Sequence, residues 1–138
     1  MSRKTINLTL TLSLSLGAVL AGGSALGSPE TLLETYLRGG AGPFDATAGA
    51  RAWSAEHSPP GAAEPRSCVT CHGTDLTKSG RHAATGKTIE PMALSVNPER
   101  LADPNKTDKW FGRNCRWTLG RECTAQEKGD FVQFLRAH

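Results

Sequence analysis

The sequence predicts an all-α fold, a few short helices gathered around one covalently attached group, and three observations predict it. Capped helical periods stand at both ends of residues 28–138. Ser28-Pro29-Glu30 precedes Leu32, Leu33, Tyr36 and Leu37, and Thr124-Ala125-Gln126-Glu127 precedes Phe131, Phe134 and Leu135. Aromatic residues are only 6% of the 138, a thin supply for the core of a small domain, so apolar bulk has to come from elsewhere. Finally, Cys68-Val69-Thr70-Cys71-His72 sets two thiols two residues apart with a histidine directly after them, the attachment pattern of a c-type haem.

The chemistry requires that spacing. Each thiol adds across one haem vinyl group, and a two-residue spacer on a helical turn lets both reach the same macrocycle edge. The residue that follows then lies under the iron, where the His72 imidazole is the proximal ligand. One covalent haem c held by Cys68, Cys71 and His72 is therefore expected. The competing use of Cys-x-x-Cys is half of a zinc site.

Taken in order, the chain opens with Arg3 and Lys4, then runs uncharged from Thr5 to Pro29 and leaves through the small residues Ala21 to Gly27. A basic start, an apolar middle and a small-residue exit describe a secretory signal peptide, so residues 1–27 are expected to be a leader and residues 28–138 the exported domain. Left uncleaved, the same stretch would be a membrane anchor, although its many Thr and Ser dilute it. Export to a periplasm suits both c-type haem attachment and a disulfide. Without the leader, 14 basic residues face 13 acidic ones. The distribution is uneven: residues 28–65 carry a net −3, and residues 66–123, with ten basic and six acidic residues, a net +4. That excess reads either as a rim steering an acidic redox partner or as counter-charge for the haem propionates. No long charge run and no repeat supports a nucleic-acid partner.

Gly39-Gly40 closes the first helix. A second is expected from Asp45 to about Glu56, with Gly49 and Trp53 on the face where another helix crosses closely. Ser58 to Pro65, with three prolines, is a loop, and His57 before it is read as a surface residue. Gly73 to Thr88 is polar, and its Lys78, Arg81, His82 and Lys87 can bond propionates or face solvent. Pro91, Pro98 and Pro104 punctuate an irregular stretch over the haem. Asp103 or Thr107 then caps a short helix with Trp110 and Phe111 that leads into Arg113-Asn114-Cys115. The last helix runs from Thr124 to about Ala137 and is the partner expected for the Gly49/Trp53 face.

The sixth ligand of the iron decides function, and the residues leave Met92, Asn114, His82, a lysine or nothing. Methionine would make a plain electron carrier, because a soft thioether favours ferrous iron. Met92 lies 20 residues past His72 in a Pro-Met loop and is equally suited to filling the core. Asn114 shares a helix face with Trp110 and Phe111 and is followed by Cys115, which can pair with Cys123 around a short loop.

The runs Gly86-Lys87-Thr88-Ile89-Glu90-Pro91, Asn97-Pro98-Glu99-Arg100, Lys109-Trp110-Phe111 with Arg113-Asn114-Cys115, and Leu119-Gly120-Arg121-Glu122-Cys123-Thr124 resemble the SHP-type monohaem cytochromes c. With Cys68 to His72, the resemblance covers most of residues 66–135. It implies a class I cytochrome c-like helical fold, Asn114 as the distal ligand and a Cys115–Cys123 disulfide. It also implies binding of oxygen or nitric oxide by the ferrous form and electrons received from a dihaem cytochrome c. The physics agrees: an amide oxygen is a hard, weak donor that ferric iron tolerates and ferrous iron holds poorly.

Three functions compete: a cytochrome that carries electrons and binds a diatomic gas, with labile His72/Asn114 ligation; a plain His72/Met92 electron carrier; and a zinc module built from Cys68, Cys71, Cys115 and Cys123. No general acid or base is placed by the sequence, so catalytic turnover is not assigned; His82 and Lys87 are the candidates at the haem edge.

Overall fold

A computed structural model describes residues 27–138. The expected leader, Gly27 apart, lies outside the described residues. The elements in order are α1 (Pro29–Arg38), α2 (Ala46–Ser54), a single turn α3 (Val69–His72), a hairpin of β1 (Gly80–Arg81) and β2 (Thr88–Ile89), a 3-10 turn (Pro98–Leu101), α4 (Pro104–Leu119) and α5 (Ala125–Arg136). No described helix is long and apolar enough to cross a membrane. The all-α expectation holds, since the only sheet among the described residues is the two-residue hairpin.

Each helix starts where its cap can satisfy the first free amides. Ser28 accepts from Thr31 N–H on α1, Asp45 from Thr47 N–H on α2, and Asp103 from Lys106 N–H on α4. Thr124 and Glu127 form a reciprocal capping box on α5. On α1 the buried face is Leu32, Leu33 and Tyr36; Leu37, expected on that face, is 50% exposed because it turns to the outer flank against Gly42.

Helices α2 and α5 cross as Gly49 suggested. A Cβ on Gly49 would run into the Asp130 carbonyl of α5, and one on Gly129 into the Phe44 ring, so Gly49 admits the α5 backbone and Gly129 admits an aromatic side chain. Trp53 packs edge-on to Phe131 at 6.1 Å and tilted to Phe134 at 5.8 Å. One buried group went unread in the sequence. Asp130 accepts from Asp45 N–H at 2.8 Å and from the Gln126 amide at 3.0 Å, so its carboxylate ties α5 to the start of α2.

One local expectation needs correction, and one element was not foreseen. The helix expected to be short and to lead into Asn114 has 16 residues and continues through Asn114 and Cys115 to Leu119, because nothing breaks it until Gly120 takes a left-handed conformation at φ 73°. The polar stretch after the haem motif, given no element in the sequence reading, carries the hairpin. Gly80 pairs with Ile89 and Arg81 with Thr88, and the bare Cα of Gly80 lets this hairpin lie on the Cys71 carbonyl.

Candidate functional site

The elements enclose a cleft of about 840 Å³, to which nearly every segment from α2 to α5 contributes. Its floor is the haem motif. Cys68 caps α3, Cys71 and His72 complete the turn, and all three side chains line the cleft. The two thiols are free, while Cys115 and Cys123 are joined to each other, so only the first pair is available for vinyl addition. Burial pushes the Cys68 thiol up to about 12. Burial first, and the Arg100 guanidinium second, hold the His72 imidazole down to about 4, so at neutral pH it is uncharged and has a lone pair to give. The Trp53 indole packs tilted against the His72 ring, with the ring centroids 5.2 Å apart.

These residues fit a haem on their own evidence. The donor set is two thiols and a neutral imidazole at attachment spacing. Two buried polar atoms beside the cleft, His72 Nδ1 and Trp53 Nε1, have no partner within the protein, and each such atom costs free energy until something satisfies it. Trp110 opens onto the cleft 46% exposed, apolar surface that a macrocycle would cover.

Both readings of the sixth ligand meet in this cleft. Met92 lines it, but its backbone is clamped. Met92 N–H and Ala93 N–H both donate to the Leu76 carbonyl, at 3.0 and 2.9 Å, which ties the segment to the chain just past His72. Asn114 lines it from α4, one residue before the buried Cys115–Cys123 disulfide, whose Cα atoms are 5.6 Å apart. Arg113 beside it stacks over Trp110 at 4.8 Å. His82 and Lys87 also line the cleft. His82 Nδ1 accepts from the amides of Ala84 and Thr85 at 3.3 and 3.2 Å, and Ala83 N–H points to Cys71 Sγ at 3.3 Å, so the loop of the hairpin closes over one attachment point. Lys78 and Arg81 are exposed, and His57 is bound through its backbone to Arg66, away from the cleft. The zinc alternative is not assembled, because no group of three His, Cys, Asp or Glu side chains able to hold a metal ion occurs among the described residues.

The sequence reading missed Arg100, whose guanidinium lines the cleft, and the Leu76 clamp on Met92. Neither has a local sequence signal, because both contacts join segments that only the folded chain brings together.

Comparison with known proteins gives concordant findings. The family profile described as "Domain of unknown function (DUF1924)" matches residues 39–135. Cytochrome c-type protein SHP of Cereibacter sphaeroides is 42% identical over 130 residues, spanning 93% of this chain and 99% of the relative. A solved structure of oxidized SHP, described as an oxygen binding cytochrome c, superposes with a TM-score of 0.73 at 38% identity, over 81% of this chain and 98% of that one. Oxidized cytochrome c'' from Methylophilus methylotrophus superposes with a TM-score of 0.69 at 28% identity, over 80% of this chain and 94% of that one.

Proposed function

The chain belongs to the family of that domain and of the SHP-type cytochromes c, with one covalent haem in an all-α cytochrome fold, and from this premise we propose an exported cytochrome that carries electrons and binds a diatomic gas through a ligand released on reduction. In this reading Cys68 and Cys71 hold the haem, His72 is the proximal ligand and Asn114 the distal one. Residues 1–27 are the leader, and residues 28–138 are the working domain in the periplasm. When bound, the haem supplies one-electron chemistry and a ferrous iron able to coordinate a diatomic gas.

The observation that carries the reading is the separate anchoring of the two candidate ligands. Met92 is tied by its backbone to Leu76, on the segment that follows His72, while Asn114 arrives from α4 and is backed by a disulfide at the next residue. A weak amide donor needs such positioning; a thioether does not. His72, neutral and braced by Trp53, is suited to hold its place in both oxidation states. Asn114 is suited to hold it only in the oxidised one. Once free, its amide retains two N–H donors for a polar diatomic guest. Oxygen or nitric oxide fits this description, the former being what the SHP relative is described as binding. The electron donor is a dihaem cytochrome c or another acidic redox protein attracted by the net +4 of residues 66–123.

The test is spectroscopic. Anaerobically reduced wild-type protein is expected to change its spectrum on addition of carbon monoxide, Asn114→Ala to alter the oxidised spectrum, and Met92→Ala to leave both nearly unchanged. A reduced protein indifferent to carbon monoxide, with a six-coordinate ferrous spectrum that Met92→Ala abolishes, would establish the plain electron carrier instead.

A further inference from the structure

Arg100 is not used by the ligation scheme, yet it is the most confined cation of the cleft. It lies in the 3-10 turn, is half-buried, and lines the cleft wall. Its Nε donates to the Pro91 carbonyl at 3.0 Å and its Nη2 to the Glu90 carbonyl. Both acceptors are neutral, and none of the ion pairs among the described residues includes Arg100. Lys87, Lys106 and Arg113 also line the cleft, but they are exposed and solvated, as are the acidic Glu90 and Glu99. A guanidinium drawn partly out of water and hydrogen-bonded only to carbonyls has its charge offset only at a distance, by the exposed Glu90 carboxylate. Its remaining donors present the planar fork that matches a carboxylate. A haem brings two propionate carboxylates into this cleft, and no exposed lysine has comparable need of one.

We propose that Arg100 is the positioning residue that pairs with a haem propionate and, by neutralising it, sets the reduction potential of the iron. The Pro91 and Glu90 carbonyls hold the fork in place before the haem arrives, so the pair forms at little cost in side-chain order. The pair requires the haem and no particular sixth ligand, so it stands or falls independently of Asn114.

The test uses the haem-loaded protein carrying ¹³C at the propionate carboxyls, with Arg100→Gln, Arg100→Lys and, as a control on another cleft cation, Arg113→Gln. Redox titration and isotope-edited infrared difference spectra are recorded for each. Arg100→Gln is expected to lower the reduction potential, because a lost positive charge disfavours the added electron, and to shift the propionate carboxylate band. Arg100→Lys is expected to recover most of the potential but not the band, since it keeps the charge and loses the fork. Arg113→Gln is expected to leave the band in place. Wild-type potential and band in Arg100→Gln, or an equal band shift in Arg113→Gln, would overturn the assignment. Should Arg100→Gln not accumulate with haem, the lysine variant decides: an unmoved band in Arg100→Lys overturns the proposal and a moved one supports it.

Discussion

Helices α2 and α5 meet backbone to backbone at Gly49, with the Phe44 ring seated on Gly129, whereas α4 is tied to the rest of the fold through side chains. On the first side the Asp130 carboxylate, the Trp53–Phe131–Phe134 cluster and the Gly80 contact under Cys71 lock the haem motif to the core. On the second side, Tyr36 Oη donates to Asp108 at 2.9 Å and Lys128 to the same carboxylate at 3.0 Å. Arg66 donates to the Trp117 carbonyl at 3.0 Å, Phe111 stacks on Phe131 at 6.1 Å, and one disulfide anchors the far end. Tethers of this kind permit small displacements that interlocked backbones do not. The proposed ligation, fixed at His72 and labile at Asn114, would draw on this difference.

The contrast can be broken or sharpened in order of expected effect. Gly49→Ala forces a methyl against the Asp130 carbonyl, backbone that cannot swing aside, and is expected to cost about 3 kcal/mol, the upper end for overpacking. Denaturant unfolding of the haem-loaded protein measures it, and a loss near zero would mean the crossing is looser than described. Replacing Cys115 and Cys123 together by Ser opens a bridge of sequence separation 8 and is expected to cost about 2.5 kcal/mol by chain entropy. The same variant should speed carbon monoxide binding if the disulfide restrains α4, and unchanged kinetics would place the restraint elsewhere.

Tyr36→Phe removes one tether of α4 and is expected to cost about 1 kcal/mol, seen in the unfolding midpoint. The Tyr36 hydroxyl is itself driven up by burial and then by the Asp108 bond, so it stays protonated and donating at any working pH. The smallest effect should be that of Glu127→Gln. Arg121, followed by the Thr124 cap, holds the Glu127 carboxyl down to about 2 from the ordinary 4.5. Its contribution, under about 1 kcal/mol after solvent screening, is complete above pH 4.5 and fades as pH falls toward 2. The variant should therefore lose stability at neutral pH and converge with wild type in acid; equal loss at all pH values would show that the charge is irrelevant.

Much of this was legible because it is local. Ser28, Asp45, Asp103 and Thr124 cap the helices whose starts they marked, since a cap acts on amides within its own turn. Gly49 could be read as a crossing point because only a missing side chain admits a backbone so closely. The end of α4 was less legible: Asn114 resembles a terminal residue in isolation, and the helix runs past it because Gly120 is the first position to bring a stop.

By itself the sequence determined the thiol spacing, the histidine beside it, the all-α fold and the caps, all properties of residues a few positions apart. Only the tertiary structure decided that Met92 and Asn114 line one cleft, that Arg100 faces the same space outside any described ion pair, and that Asp130 is buried to join α2 with α5. Those depend on contacts between distant segments, and such contacts form only when the burial of Leu32, Val132 and Leu135 has brought the segments together.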